Sequence, residues 1–371
     1  MAAEAANPND TLANEPLLVV NDLKTHFVTP RGVVRAVDGV SFSLDRGKTI
    51  GIVGESGSGK TVLARTIMKL NLGSNVVTTG SVRYQGREML DLSSREMRKY
   101  WGKEISMVFQ DPMTSLNPVV RVGRQVTEHL RHHLKMDKAA ANDTALQLLR
   151  QVRIPEAKKR LRAYPHELSG GMRQRVSIAI AMACGPKLLL ADEPTTALDV
   201  TVQHSIMNLL ANEQQDRDMA MILVTHDLGV VAGRTDEIAV MYAGRIVEKA
   251  PTSVLFSNVR MPYTEALLRS IPRTTHRNHT RLASIPGRPP DLINPPTGCA
   301  FSPRCAYAQD RCFDELPPLV EAGPGHTYRC HLPVGSDENK AAFEANVAKG
   351  LPQAVSIQAH DQSVAAQEVS A

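Results

Sequence analysis

Gly54-Glu55-Ser56-Gly57-Ser58-Gly59-Lys60-Thr61 fits the pattern G-x-x-x-x-G-K-[ST], and it decides the fold. A short apolar run at residues 49–53 leads into it, and residues 62–70 follow with apolar side chains at helical spacing. In a strand–loop–helix setting, glycines let backbone N–H groups close on phosphate oxygens where side chains would obstruct. The helix presents its N-terminal amides to the same anion. Gly54, Gly57 and Gly59 supply that freedom, with Glu55, Ser56 and Ser58 completing the loop. Lys60 is expected to bind the β- and γ-phosphates of ATP, and the Thr61 hydroxyl to coordinate Mg²⁺.

Further along, Leu188-Leu189-Leu190-Ala191-Asp192-Glu193 reads as an apolar strand ending in two carboxylates. An acidic pair at a strand end is ordinarily solvated. Beside a phosphate loop it takes on chemistry, with Asp192 in the Mg²⁺ shell and Glu193 polarising the attacking water. Between the two motifs lies Leu168-Ser169-Gly170-Gly171-Met172-Arg173-Gln174-Arg175. Ser169 is a good helix N-cap, and Gly170 and Gly171 expose amides at the start of a helix through residue 184. This is a second anion site in a chain that already has one.

Around these motifs the pattern is α/β. Short strands are expected at 17–20, 24–28, 40–44 and 49–53, and strands return at 187–191 and 219–225 with helical stretches between. Such alternation suggests a mostly parallel sheet covered on both faces. Residues 113–165 are rich in Ala, Leu, Gln and Lys and read as a helical insertion. No internal repeat is evident. The 371 residues, 42% hydrophobic, suffice for a sizeable core. A net charge of +5 without a basic stripe argues against nucleic acid. No apolar stretch is long enough to cross a bilayer, and the first twenty residues do not read as a secretory signal, so a cytoplasmic protein is expected.

The octapeptide at 168–175 resembles the signature of ABC ATPases, in which the signature of one cassette closes over the γ-phosphate held by another. Met172 stands where many members have Gln, a change that leaves the glycine amides in place. The resemblance implies roles at single positions. Gln110 matches the glutamine that senses Mg²⁺ and contacts the membrane subunit. Asp199, in Ala197-Leu198-Asp199, matches the loop coupling two cassettes. His226 matches the switch histidine at the γ-phosphate, and Phe27 matches the aromatic that stacks on adenine, although a half-buried strand residue would look the same. The implied fold is an α/β P-loop NTPase (RecA-like) ABC cassette with an antiparallel β subdomain, a helical insertion and a C-terminal Cys-rich extension. The expected units are an arm at 1–15, the nucleotide-binding core at 16–112 and 169–260, the helical subdomain at 113–168, the Cys-rich region at 261–333 and a flexible tail at 334–371.

At finer grain, residues 17–332 are similar to the oligopeptide and dipeptide importer ATPases, through Ile105-Ser106-Met107-Val108-Phe109-Gln110-Asp111-Pro112-Met113-Thr114-Ser115-Leu116-Asn117-Pro118, Tyr164-Pro165-His166-Glu167-Leu168, residues 191–203 and Ile285-Pro286-Gly287-Arg288-Pro289-Pro290. This implies a paralogous ATP-binding subunit, two transmembrane permeases and an extracytoplasmic peptide-binding protein as partners, at the cytoplasmic face of the cell membrane. Nickel or another small solute is an alternative cargo. A non-transport ABC ATPase is a second alternative, though neither a long coiled-coil insertion nor a tandem cassette is present. A metal sensor built on the C-terminal cysteines is a third.

Those cysteines are Cys299, Cys305, Cys312 and Cys330, separated by five, six and seventeen residues in Pro- and Gly-rich chain. Four thiols in a segment poor in apolar residues suggest a cross-linking metal centre. The resemblance implies a [4Fe–4S] cluster; tetrahedral Zn²⁺ and unliganded thiols stay open. Cys184 reads as a small core residue.

Overall fold

The computed structural model describes residues 15–111, 115–195, 198–271 and 285–369. The arm read at 1–15 lies outside these residues except for Glu15, as do Pro112, Met113, Thr114 and Ala197 of the quoted motifs.

Two sheets carry the cassette. In the antiparallel one, β1 (Leu18–Thr29) lies between β2 (Gly32–Leu44) and β4 (Val76–Tyr84), with β5 (Arg87–Glu88) at the edge. The two short strands expected at 17–20 and 24–28 are one strand. Its register slips between Val20 and Leu23, where Asp22 sits at φ 42° and its backbone N–H donates to Ser41 Oγ at 2.9 Å. A bulge interrupts the alternation of side chains without ending the pairing.

The second sheet has a parallel centre in the order β9 (Glu237–Tyr242), β3 (Thr49–Val53), β8 (Ala220–Thr225), β7 (Leu188–Asp192) and β6 (Ile105–Val108). Every residue of β3, β6, β7 and β8 is buried. Layers cover both faces, so these strands read as unbroken apolar runs with no polar alternation. The register aligns their carboxyl ends, with Val53 opposite Thr225, Asp192 opposite Val224 and Val108 opposite Ala191. Loops leaving that edge converge, which is where open α/β sheets bind ligands.

The helix α1 (Lys60–Ile67) follows the phosphate loop. In the helical insertion, α2 (Val122–His133) buries Val122, Val126 and Leu130, and α3 (Lys138–Gln151) buries Ala141, Ala145, Leu148 and Leu149. Asp137 caps α3, accepting from the N–H groups of Ala139 and Ala140. Both helices pack on α4 (Gly170–Met182) within one apolar cluster. Next comes α5 (Val200–Asp216).

The C-terminal part is joined to the core sheet. β10 (Arg245–Pro251) pairs with β9 and with β12 (His326–Tyr328), which pairs with β11 (Val320–Gly323). The tail expected to be flexible at 334–371 instead contains α7 (Asp337–Ala348) and α8 (Pro352–Val369), after α6 (Pro262–Arg269). Ser336 caps α7 by accepting from Asn339 N–H at 3.1 Å. The tail docks through small residues and amides: Ala342 and Ala354 are buried, and Asn346 Nδ2 donates to the carbonyls of Ala306 and Ala308, both at 2.9 Å. Composition alone read this as solvated chain because few large apolar residues do the packing. Among the described residues no helix is long and apolar enough to cross a membrane.

Candidate functional site

The phosphate loop leaves β3 and returns as α1. Gly59, at the N-cap of α1, has φ 102°, and a Cβ there would lie 2.0 Å from the carbonyl oxygen of Ala36. Conformation and space both demand glycine. Gly57, at φ 81°, faces open space, with nothing within 4 Å of an added Cβ. No side chain caps α1, so its first amides keep their capacity for an anion. Lys60 is buried and donates from Nζ to the carbonyls of Gly54 at 2.7 Å and Glu55 at 3.0 Å. Burial lowers its pKa, opposed by Glu193, Asp192 and Glu55.

At the end of β7, Asp192 is fully buried. Its Oδ1 accepts from the Thr61 hydroxyl at 3.0 Å, whereas Oδ2 has no hydrogen-bond partner among the described residues. Burial raises the pKa of this carboxyl, against the Thr61 hydrogen bond. A buried carboxylate oxygen without a donor, beside a hydroxyl, is a donor set suited to a hard divalent cation. Mg²⁺ therefore fits Thr61 and Asp192.

Glu193 follows with φ 44°, a left-handed conformation that costs a non-glycine residue about 1–3 kcal/mol and is held by its surroundings. Its N–H donates to the Val224 carbonyl at 2.9 Å, tying it to β8. Gln110 Nε2 donates to Glu193 Oε2 at 3.0 Å, and His226 Nδ1 lies 3.4 Å from the same oxygen. Gln110 stands two residues beyond β6, and His226 one beyond β8. Three strand ends thus meet on one carboxylate. Phe27 is half-buried on β1, opposite Val76 and opposite Val34, which lies two residues along β2 from the Ala36 carbonyl that abuts Gly59.

Ser169, Gly170, Gly171 and Asp199 form a second patch. Ser169 Oγ accepts from the Met172 N–H at 3.3 Å, capping α4. Gly170 is exposed, with nothing within 4 Å of an added Cβ, while a Cβ on Gly171 would lie 3.0 Å from Val202 Cγ1. Asp199 caps α5 by accepting from the Val202 N–H at 2.9 Å, and the neighbouring Val200 is 81% exposed. The start of α4 at Gly170 is therefore exposed, with space before it.

Cys299, Cys305, Cys312 and Cys330 line one cavity of about 20 Å³ with Phe301, Tyr307 and Leu332. None of the five cysteines is in a disulfide. Burial pushes the Cys330 thiol up to about 12 and the Cys305 thiol well above its ordinary value. Free thiolates are disfavoured in so apolar a cavity unless a cation accompanies them. Among the described residues no three His, Cys, Asp or Glu side chains are gathered closely enough to hold a single metal ion. Cys184 is half-buried, its thiol donating to the His129 carbonyl at 3.7 Å, so it is less interior than expected.

Sequence reasoning missed the residues that hold the loop from outside. Arg304 forms a bidentate ion pair with Glu55, and Tyr263 Oη accepts from the Glu55 N–H at 2.8 Å. They lie 249 and 208 residues away, so no local pattern signals either.

Comparison with known proteins agrees with this geometry. The family described as ABC transporter matches residues 37–196, and the oligopeptide/dipeptide transporter C-terminal region matches residues 247–312. The dipeptide transport ATP-binding protein DppD of Lactococcus lactis subsp. cremoris is 50% identical over 316 residues, 85% of this chain and 90% of the relative. The oligopeptide transport ATP-binding protein OppD of Bacillus subtilis is 50% identical over 317 residues, 85% and 88% respectively. Among solved structures, the dimeric ATP-binding cassette MJ0796, bound to ADP and Pi in a post-hydrolysis state, aligns with a TM-score of 0.58 at 26% identity, covering 63% of this chain and 98% of that one.

Proposed function

The chain belongs to the ATP-binding subunits of oligopeptide and dipeptide ABC transporters, and from that premise we propose how its residues divide the work. It hydrolyses ATP and so energises peptide import. In this reading residues 54–61 cradle the phosphates, Lys60 exchanging its two loop carbonyls for β- and γ-phosphate oxygens. Thr61 and Asp192 hold Mg²⁺, which when bound neutralises charge building on the phosphates. Glu193 orients and polarises the attacking water, with Gln110 and His226 fixing its carboxylate. Phe27 stacks on adenine. The convergence of Gln110, Glu193 and His226 at one sheet edge carries the assignment.

Ser169, Gly170, Gly171 and Asp199 serve a second cassette's nucleotide, so two chains make two composite sites. The open space at Gly170 and the dimeric state of MJ0796 support this. ATP drives closure because only the closed pair sets the α4 amides on the γ-phosphate. The second cassette is a paralogous ATP-binding subunit. Two permeases and an extracytoplasmic peptide-binding protein complete the assembly, with this chain peripheral on the cytoplasmic face of the membrane.

The cysteine quartet holds a [4Fe–4S] cluster in this proposal. Support comes from the four soft donors that line one cavity, a set that tetrahedral Zn²⁺ would share. Such a cluster would cross-link chain that has little apolar core of its own.

The test is reconstitution with the candidate permeases and binding protein in vesicles. ATP-dependent uptake of labelled peptides is expected. Uptake of nickel without peptide would replace the cargo, and no uptake with undiminished ATP hydrolysis would favour a non-transport role. Anaerobically purified chain should show broad visible absorption that bleaches on oxidation, whereas zinc would leave it colourless.

A further inference from the structure

Glu55 puts a carboxylate inside the loop that must accept an anionic triphosphate. That charge is taken up by Arg304, whose Nη1 donates to Glu55 Oε2 at 2.6 Å and Nη2 to Oε1 at 2.9 Å. The guanidinium is 4% exposed, and all five of its N–H groups are engaged. Beyond Glu55, Nε donates to the Pro286 carbonyl at 2.8 Å, Nη1 to Tyr242 Oη at 3.3 Å and Nη2 to the Ile285 carbonyl at 3.4 Å. The rings of Tyr242 and Phe301 lie 6.0 and 5.9 Å from its Cζ. With Tyr263 on the Glu55 N–H, both the side chain and the backbone of this loop residue are fixed by chain far away in sequence.

Arg304 in turn stands on a 3₁₀ turn, Ser302–Arg304, bounded by two cysteines of the quartet. Ser302 N–H donates to the Cys299 carbonyl at 3.0 Å and Cys305 N–H to the Ser302 carbonyl at 3.2 Å. Cys299 N–H donates to the Cys312 carbonyl at 2.8 Å. Backbone hydrogen bonds thus join the turn that carries Arg304 directly to Cys299, Cys305 and Cys312.

We propose that Arg304 is a positioning residue of the ATP site, holding Glu55 paired and the loop in shape, and that the cysteine segment sets nucleotide affinity through it. The proposal rests on the reading that residues 54–61 bind the nucleotide. Loss of Arg304 leaves an unpaired carboxylate beside the phosphates, a repulsion that Glu55→Gln removes. A clamp serving stability alone would give no such rescue.

The test measures binding of a fluorescent ATP analogue with Mg²⁺ to the full chain, together with KM and kcat in the assembled transporter. Arg304→Ala should weaken binding about tenfold, raise KM similarly and change kcat at saturating ATP less. Arg304→Lys, which keeps charge but not the bidentate geometry, should fall between. Arg304→Ala combined with Glu55→Gln should regain most of the lost affinity. Wild-type affinity in Arg304→Ala, or additive losses in the double variant, would overturn the proposal. If Arg304→Ala does not fold, Arg304→Lys with and without Glu55→Gln reads the same coupling. Cys312→Ser should weaken binding in the wild-type background and not with Glu55→Gln, and unchanged affinity in the first case would overturn the cysteine link. Lys60→Ala is the control: if it binds normally, the phosphate-loop reading itself has failed, a result separate from the behaviour of Arg304.

Discussion

The side-chain amide of Gln110 donates to Glu193 Oε2 at 3.0 Å, joining two residues that follow different strands, 83 positions apart. The same oxygen faces His226 Nδ1, so the carboxylate is oriented from two sides before any water arrives. The left-handed backbone at Glu193 aims it there at a cost the neighbouring strand supports.

Glu193→Gln keeps the shape and the Val224 hydrogen bond but removes the carboxylate proposed to polarise the water. Turnover in the assembled transporter should fall about 10²–10⁴-fold with ATP binding retained. Phosphate release against equilibrium nucleotide binding checks both halves. Turnover near wild type would take Glu193 out of the role.

Asp192 buries a carboxylate oxygen with no hydrogen-bond partner among the described residues, and burial raises its pKa. Ionised and without its cation, the group is a burden on the nucleotide-free chain. Asp192→Asn should unfold at higher temperature than wild type without ligand, while gaining nothing from Mg²⁺ with ATP. Thermal melts with and without Mg²⁺·ATP read the two changes, and an equal ligand-induced gain in both proteins would remove Asp192 from the cation site.

What the sequence disclosed of this site was what is local. Lys60 and Thr61 sit in a contiguous motif, and Asp192 ends one short apolar strand while Gln110 and His226 follow two others, so parallel pairing alone brings them to one edge. The bulge at Asp22 was hidden, because a bulge breaks alternation as a turn would. The Arg304–Glu55 pair was hidden because it depends on how the C-terminal segment lies against β9 and α6, which no spacing encodes. The tail helices were hidden because Ala342 and Ala354 bury small side chains that composition counts lightly.

Gly170 offers a test of composite sites that spares the monomer. Because an added Cβ meets nothing within 4 Å and residue 170 is exposed, Gly170→Leu should leave stability within about 0.5 kcal/mol of wild type. It should also leave nucleotide affinity of the separate chain intact while blocking ATP-dependent pairing of cassettes. Sedimentation of the two ATP-binding subunits with ATP, in the Glu193→Gln background, should show paired cassettes only with Gly170 present. Pairing unaffected by the leucine would refute the trans arrangement.

His129 and His133 stack on α2 with centroids 6.0 Å apart, and His132 meets His133 edge-on at 4.8 Å. Burial lowers the pKa of both His129 and His133. Glu128 opposes the fall at His129, whereas His132 reinforces it at both, joined at His133 by Lys135 and Lys103. With folded-state values below the ordinary value near 6.5, the unfolded chain binds the extra protons. Stability should therefore be intact above about pH 6.5 and decline as pH falls from there through the folded values. His129→Gln, which cannot take a proton, should flatten that decline. Denaturant midpoints between pH 5 and 8 read the slope; equal slopes in the two proteins would contradict the assignment.

Asn346 is the tail's most exacting contact. Its amide nitrogen donates to the carbonyls of Ala306 and Ala308, immediately beyond Cys305, and the side chain is 4% exposed. Asn346→Ala would leave these two carbonyls without that donor, at a cost of about 1–3 kcal/mol. Asn346→Asp would place an acceptor against two acceptors and cost more. If the tail secures the cysteine segment, both variants should expose residues around Ala306 and Ala308 to amide hydrogen exchange while β3, β7 and β8 stay protected. Exchange raised uniformly across the chain would mean that α7 stabilises the whole molecule. Exchange unchanged near Ala306 would mean that the amide is not what holds it.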